Sequence, residues 1–229
     1  MTAMNGVLVR GVAPGAVMLA CALLCGCVRT TDGTAAVDSG MPVELADVLV
    51  EPSRFPAPYR AAVLDPQATG EAVAGVDGVP PGAVVGPAGC APSPVGTGPR
   101  NAVAAQGVDS DTGAALTVIL TRTGTALADR RAQLDRCPSV TATAGEVMTS
   151  VETVLLPAPP VDADDSLASE ATIRRSTEPP VRVLTLSAQI DDVRLTAAWL
   201  NNDGGSAPDT SALDVLFTDA LSSVRRGAR

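Results

Sequence analysis

The most regular hydrophobic pattern in the chain is a pair of alternating runs near its C-terminus. Leu184, Leu186, Ala188 and Ile190 take every second position of Val181–Ile190, and Val193, Leu195, Ala197 and Trp199 do the same in Val193–Leu200. Period two puts each set on one face of a strand. A tight turn at Asp191-Asp192 pairs Ile190 with Val193 and Leu184 with Trp199. One register then buries both apolar sets together, as a stable hairpin requires. An earlier hairpin is predicted from Asn101–Val108 and Ala114–Thr123 around Asp109–Gly113, with Ala114, Leu116, Val118 and Leu120 on one face. Tyr59–Leu64, Ser139–Ala144 and Glu146–Leu156 are further strand candidates.

Helical spacing occurs in three places. Glu44–Val50 sets Leu45, Val48 and Leu49 on one face and stops before Pro52. Ala126–Arg136 reads as a helix with Arg130, Arg131 and Arg136 outward. The strongest helix closes the chain, where Leu213, Leu216, Phe217, Ala220, Leu221 and Val224 follow the three-four spacing of an amphipathic face. Ser211 with Asp214 offers a near capping box, Arg225 and Arg226 suit the negative end of the helix dipole, and Gly227 can end it. Residues 65–99, rich in Pro and Gly, read as a long loop, and residues 157–166 as a shorter one. The sum predicts an α+β domain over residues 43–226, with a mainly antiparallel sheet and helices packed on one face.

The first apolar run, Val12 through Leu24, belongs to no such domain. It is shorter than the roughly 20 residues that span a bilayer. It follows a start carrying one charge, Arg10, and ends in small residues, the layout of a cleaved export signal over residues 1–26. Leu24-Cys25-Gly26-Cys27 resembles the bacterial lipobox, in which Cys27 receives the lipid. Several acyl chains anchor stably where one is marginal. The expected location is the extracytoplasmic face of the cell membrane, with residues 27–42 as the lipidated cysteine and a polar tether reaching at most about 50 Å.

Composition then removes most chemistry. All 16 basic residues are Arg; the chain has no Lys and no His, and its net charge is −9. Ser-His, Cys-His and Ser-Lys nucleophile systems, Schiff-base lysines and Walker-type loops are excluded. The acidity repels nucleic acid. The four aromatics, Phe55, Tyr59, Trp199 and Phe217, are too few for a stacking platform. No cofactor and no metal site is expected. Cys90 and Cys137, the pair left after the signal and anchor, are expected to form a disulfide in an oxidising compartment. Chain entropy gives that bond about 4 kcal/mol for a loop of about 47 residues.

Three motifs fail on their details. Asp111-Thr112-Gly113-Ala114 resembles the aspartic-protease signature, but Asp109 and Ser110 precede it where apolar residues belong, so a turn is expected. Asp162, Asp164 and Asp165 suggest a Ca²⁺ loop, but Leu167 stands at the turn glycine and Ile173 at the bidentate Glu. Gly96-Thr97-Gly98-Pro99-Arg100-Asn101 echoes a dinucleotide loop with no strand before it. Trp199 falls on the core side of its strand and is expected to pack there. A hydrolase using two carboxylates alone stays open.

Several stretches together resemble actinobacterial exported lipoproteins similar to the extracytoplasmic sensor domains of mycobacterial Ser/Thr kinases. They are Leu49-Val50-Glu51-Pro52-Ser53-Arg54-Phe55-Pro56-Ala57-Pro58-Tyr59, Cys90-Ala91-Pro92, the run from Ala114 to Cys137, and the closing hairpin and helix. The resemblance implies an α/β sandwich with a ligand cleft. The expected function is non-enzymatic ligand binding or sensing; the alternatives are a lipid carrier and a structural adaptor for an envelope complex.

Overall fold

The computed structural model describes residues 43–96, 98–176, 178–201 and 207–228. The expected export signal (residues 1–26) and the expected lipidated Cys27 with its tether (27–42) lie outside these. The elements run α1 (Leu45–Val48), a 3-10 turn (Pro52–Arg54), β1 (Arg60–Val63), α2 (Pro66–Asp77), β2 (Val84–Gly86), β3 (Ala102–Val108), β4 (Ala115–Arg122), α3 (Leu127–Arg136), β5 (Ser139–Ala144), β6 (Val147–Leu156), β7 (Asp165–Arg175), β8 (Val181–Ile190), β9 (Val193–Asn201) and α4 (Thr210–Gly227).

Among the described residues, nine strands form one sheet in the order β1-β3-β4-β9-β8-β7-β6-β5-β2, antiparallel at every pairing. Strands β5 to β9 are a continuous meander. Both edges are short, four residues in β1 and three in β2, which limits the unpaired backbone they present. The β8–β9 register is the one the alternation demands, with Ile190 opposite Val193 and Leu184 opposite Trp199. Asp191 turns the corner with φ at 51°, a conformation Asp tolerates better than most side chains.

The main core lies between the sheet and α4. Leu116, Val118, Leu120, Leu195, Ala197 and Trp199 meet Leu213, Leu216, Phe217 and Ala220, with Leu45 and Val48 of α1 closing one side. Trp199 is 1 % exposed, as packing on the core side requires. The α4 cap is Asp209, whose carboxylate accepts from the Ala212 N–H at 3.0 Å, and not Ser211 with Asp214. The helix also continues through Gly227.

Three further expectations differ from the structure. Helices cover both faces of the sheet: α4 and α1 one, α2 and α3 the other. Residues 65–99 contain α2 and β2. Asp65 caps α2 by accepting from the Ala68 N–H at 2.9 Å, Pro66 opens it without needing an N–H, and Gly78 ends it in the left-handed conformation at φ 67°. Strand β7 begins inside the segment read as a loop.

A smaller core fixes the second face. Val151, Ala171, Ile173, Val181, Val183 and Ala198 form it, with Val76 of α2 against them.

Candidate functional site

Strands β4, β9, β8 and β7 present opposite chemistry on their two faces. Toward α4, one row of cross-strand neighbours reads Ala168, Leu186, Ala197, Val118. One residue along, the row on the other face reads Leu167, Ser187, Thr196, Ile119, and the row beyond it Asp165, Gln189, Arg194, Thr121. A sheet face buried under helices is normally apolar. Hydroxyls and a guanidinium there fit a face that meets water or a polar ligand.

Helices α2 and α3 stand over this face and leave a cleft of about 300 Å³ between them. Its floor carries Ile119, Thr121, Thr185, Ser187, Arg194 and Thr196. Val73, Val76 and Asp77 of α2 form one wall; Leu127, Arg130 and Gln133 of α3 form the other. Segment 89–95 rims it through Gly89, Pro92, Ser93 and Val95. The size lies at the lower end of small-molecule sites.

Specific contacts hold the walls. Arg130 of α3 reaches Asp77 at the end of α2 at 2.8 Å and also donates to Gln133 at 2.7 Å. Arg130 therefore faces the cleft, where the sequence suggested an outward position. Arg131 pairs with Asp165 at 3.0 Å and donates to the Ser166 carbonyl, tying α3 to β7. Cys90 and Cys137 lie at disulfide distance, 2.02 Å between sulfurs, which fastens the rim segment to the end of α3. Gln133 strengthens the same junction by donating to the Ala91 carbonyl.

The electrostatics are unusual for so acidic a chain. Arg194 donates to the Thr125 carbonyl at 2.6 Å and to Gln189 at 3.3 Å, while its Nε is buried with no hydrogen-bond partner. Burial, then the positive charge of Arg130, pull its pKa below the ordinary arginine value. Burial likewise pushes the Asp77 carboxyl up, against the opposing pull of Arg130 and Arg194.

The other sequence motifs have structural uses. Asp109 accepts from the Thr112 hydroxyl at 2.6 Å and the Asp111 N–H at 3.0 Å, and Gly113 has φ 70°, so Asp111-Thr112-Gly113 is a turn. Asp162 pairs with Arg225, Asp164 accepts from the Asp191 N–H at 2.7 Å, and Asp165 holds Arg131. The three carboxylates thus serve three different partners. Asn101 donates to the Gly98 carbonyl at 3.0 Å in a turn before β3, and Thr97 lies outside the described residues. Among the described residues no group of three or more His, Cys, Asp or Glu could hold a metal ion, and no helix is long and apolar enough to cross a membrane.

A second depression, about 420 Å³, lies beside the edge strand β1. It is lined mainly by aliphatic and proline side chains, among them Leu49, Val50, Pro52, Val63 and Val103.

Sequence reasoning named none of the cleft-lining residues as a site. The available signal was the hydroxyl series Thr185, Ser187 and Thr196, each set between apolar residues in a strand.

No family model matches the chain. No curated protein matches it. Among solved structures, the chain is similar to an uncharacterised protein of Mycobacterium smegmatis, at 16 % identity and a TM-score of 0.46 over 80 % of this chain and 97 % of that one.

Proposed function

We propose that this chain is a lipid-anchored, extracytoplasmic, non-enzymatic binding domain whose cleft between α2 and α3 takes a small polar ligand. One observation carries the binding half: the sheet face under those helices is lined with Thr121, Ser187, Thr196 and Arg194, while the opposite face of the same strands is aliphatic. Binding sites combine an apolar frame with a few converging polar groups, and Ile119, Leu127 and Leu167 supply the frame here. The absence of His and Lys favours binding over catalysis. The signal-like run and the lipobox-like Leu24-Cys25-Gly26-Cys27 support the anchor. The motif resemblance to kinase sensor domains supports a sensor-like role, with the disulfide keeping the cleft rim in position.

Two measurements test this reading. Mass spectrometry of the chain from an actinobacterial host should find a lipid adduct on Cys27, and Cys27→Ala should move the protein from the membrane to the soluble fraction. Native mass spectrometry of the full chain against envelope extract should find a small ligand whose retention falls in Ser187→Phe. A chain that retains no ligand, or retains it equally in that variant, refutes the binding role.

The apolar depression beside β1 favours a second reading, a carrier of hydrophobic ligands. Displaceable binding of a fluorescent fatty acid, reduced by Val63→Asp, would support it.

A further inference from the structure

We infer that the cleft ligand carries an oxyanion group, a carboxylate or a phosphate, held by Arg194 and Arg130 over the hydroxyls of Ser187 and Thr196. This inference rests on the binding role proposed above and specifies its ligand.

Three observations lead to it. The first is local charge. The chain has a net charge of −9, yet Arg130, Arg136 and Arg194 line the cleft against Asp77 and Asp129. Concentrating guanidinium groups in a half-enclosed space opposes the overall composition, and low-dielectric walls strengthen their field.

The second is the hydrogen-bond inventory. A guanidinium has five N–H donors in a planar fork suited to oxyanions. Arg194 gives two bonds through Nη2, to Thr125 and Gln189, and both acceptors are neutral. Its Nε is buried with no partner among the described residues. Of the two carboxylates that line the cleft, Asp77 is engaged by Arg130 at 2.8 Å. Arg194 is therefore a half-buried cation with a buried Nε and no salt bridge among the described residues, its charge offset by Asp77 and Asp129 only beyond salt-bridge distance. Burial and Arg130 pull its pKa down, against the opposing pull of Asp77 and Asp129.

The third is the floor. Ser187 Oγ and Thr196 Oγ1 lie 3.3 Å apart, each able to donate to the other or to a third acceptor. Thr196 is two residues from Arg194 on the same face of β9, so a bound oxygen would find a guanidinium and hydroxyls on adjacent rows.

Isothermal titration calorimetry of the full chain in mild detergent tests this, with inorganic phosphate and acetate as separate probes against matched sodium chloride. The expected result is saturable binding of at least one anion. Affinity should fall about tenfold in Arg194→Gln, as expected for losing a charge-assisted contact. Arg130→Gln should also weaken binding. It is the second variant if Arg194→Gln fails to fold. Arg54→Gln, which breaks a surface pair with Asp219, should bind as wild type does. No saturable heat from either anion, or wild-type affinity in both cleft variants, overturns the inference. The two readings separate cleanly: an envelope ligand that binds the cleft while neither anion does removes the oxyanion and leaves the binding role. Absence of any cleft ligand removes both.

Discussion

Gly78 lies against Ile173 so closely that a β-carbon on it would stand 2.8 Å from Ile173 Cγ1 and equally close to Val151 Cγ2. Its φ of 67° also belongs to the left-handed region. This contact docks the end of α2, and hence one wall of the cleft, on the smaller core. Gly78→Ala combines a strained backbone with overpacking, and a loss of about 2–4 kcal/mol is expected. Chemical denaturation measures it; a loss below about 0.5 kcal/mol would mean that α2 shifts freely on the sheet.

Reduction or double replacement of Cys90 and Cys137 should lower stability by about 2–4 kcal/mol. The bond anchors the cleft rim to α3, so cleft affinity should fall as well. Thermal unfolding and ligand titration of Cys90→Ala/Cys137→Ala with and without reductant check both effects.

Trp199, the single tryptophan, is buried against α4. Its emission should be blue-shifted and shielded from iodide in the folded chain. Phe217→Ala removes the largest α4 side chain in that core and should cost about 3–5 kcal/mol. The Trp199 signal would follow the unfolding directly.

Asp77 and Asp109 should influence acid stability in opposite directions. Burial raises the Asp77 pKa above 3.8 in the folded chain. The folded state then holds the proton more tightly, so its contribution is full below that value and is lost as pH rises through the folded pKa. Relative to Asp77→Asn, the wild-type melting temperature should decline as pH rises from about 4.

Hydrogen bonds from Thr112 and the Asp111 N–H hold the Asp109 pKa below 3.8. Its contribution is present above that value and is lost as pH falls through the folded pKa. Asp109→Ala should therefore melt below wild type near neutrality and converge with it in strong acid. Melting curves across the acid range would distinguish the two carboxylates.

The elements legible in the sequence were those with one wholly apolar face. The β8–β9 register and the buried face of α4 were plain because Leu184, Trp199, Leu216 and Phe217 are large and regularly spaced. Helix α2 was hidden because Gly70 and Gly75 interrupt it and Pro66 reads as a breaker, although Pro66 stands at the first helical position, where its missing N–H costs nothing. Strand β7 was hidden because between Leu167 and Ile173 its cleft-facing positions are Ser169 and Ala171, which weakens the alternation that marks a half-buried strand. The cleft was obscured by the same substitutions that create it. Arg130 reads as a surface charge in the sequence, because the spacing within α3 does not show that α2 stands opposite it across the cleft. The pairing of Cys90 with Cys137 needed only compartment chemistry and was accessible from the sequence.

The pairing of β4 with β9 fixes an order of assembly. Strands β5 to β9 can each pair with a neighbour as it is made. Strands β3 and β4 are synthesised earlier, yet the inner edge of β4 has no partner until Val193–Asn201 exists. Since a chain is delivered N-terminus first, the Leu116–Leu120 edge must wait through the whole meander, open to mispairing with other chains. Truncation before Val193 should therefore leave that edge unpaired and convert a folded protein into an aggregating one.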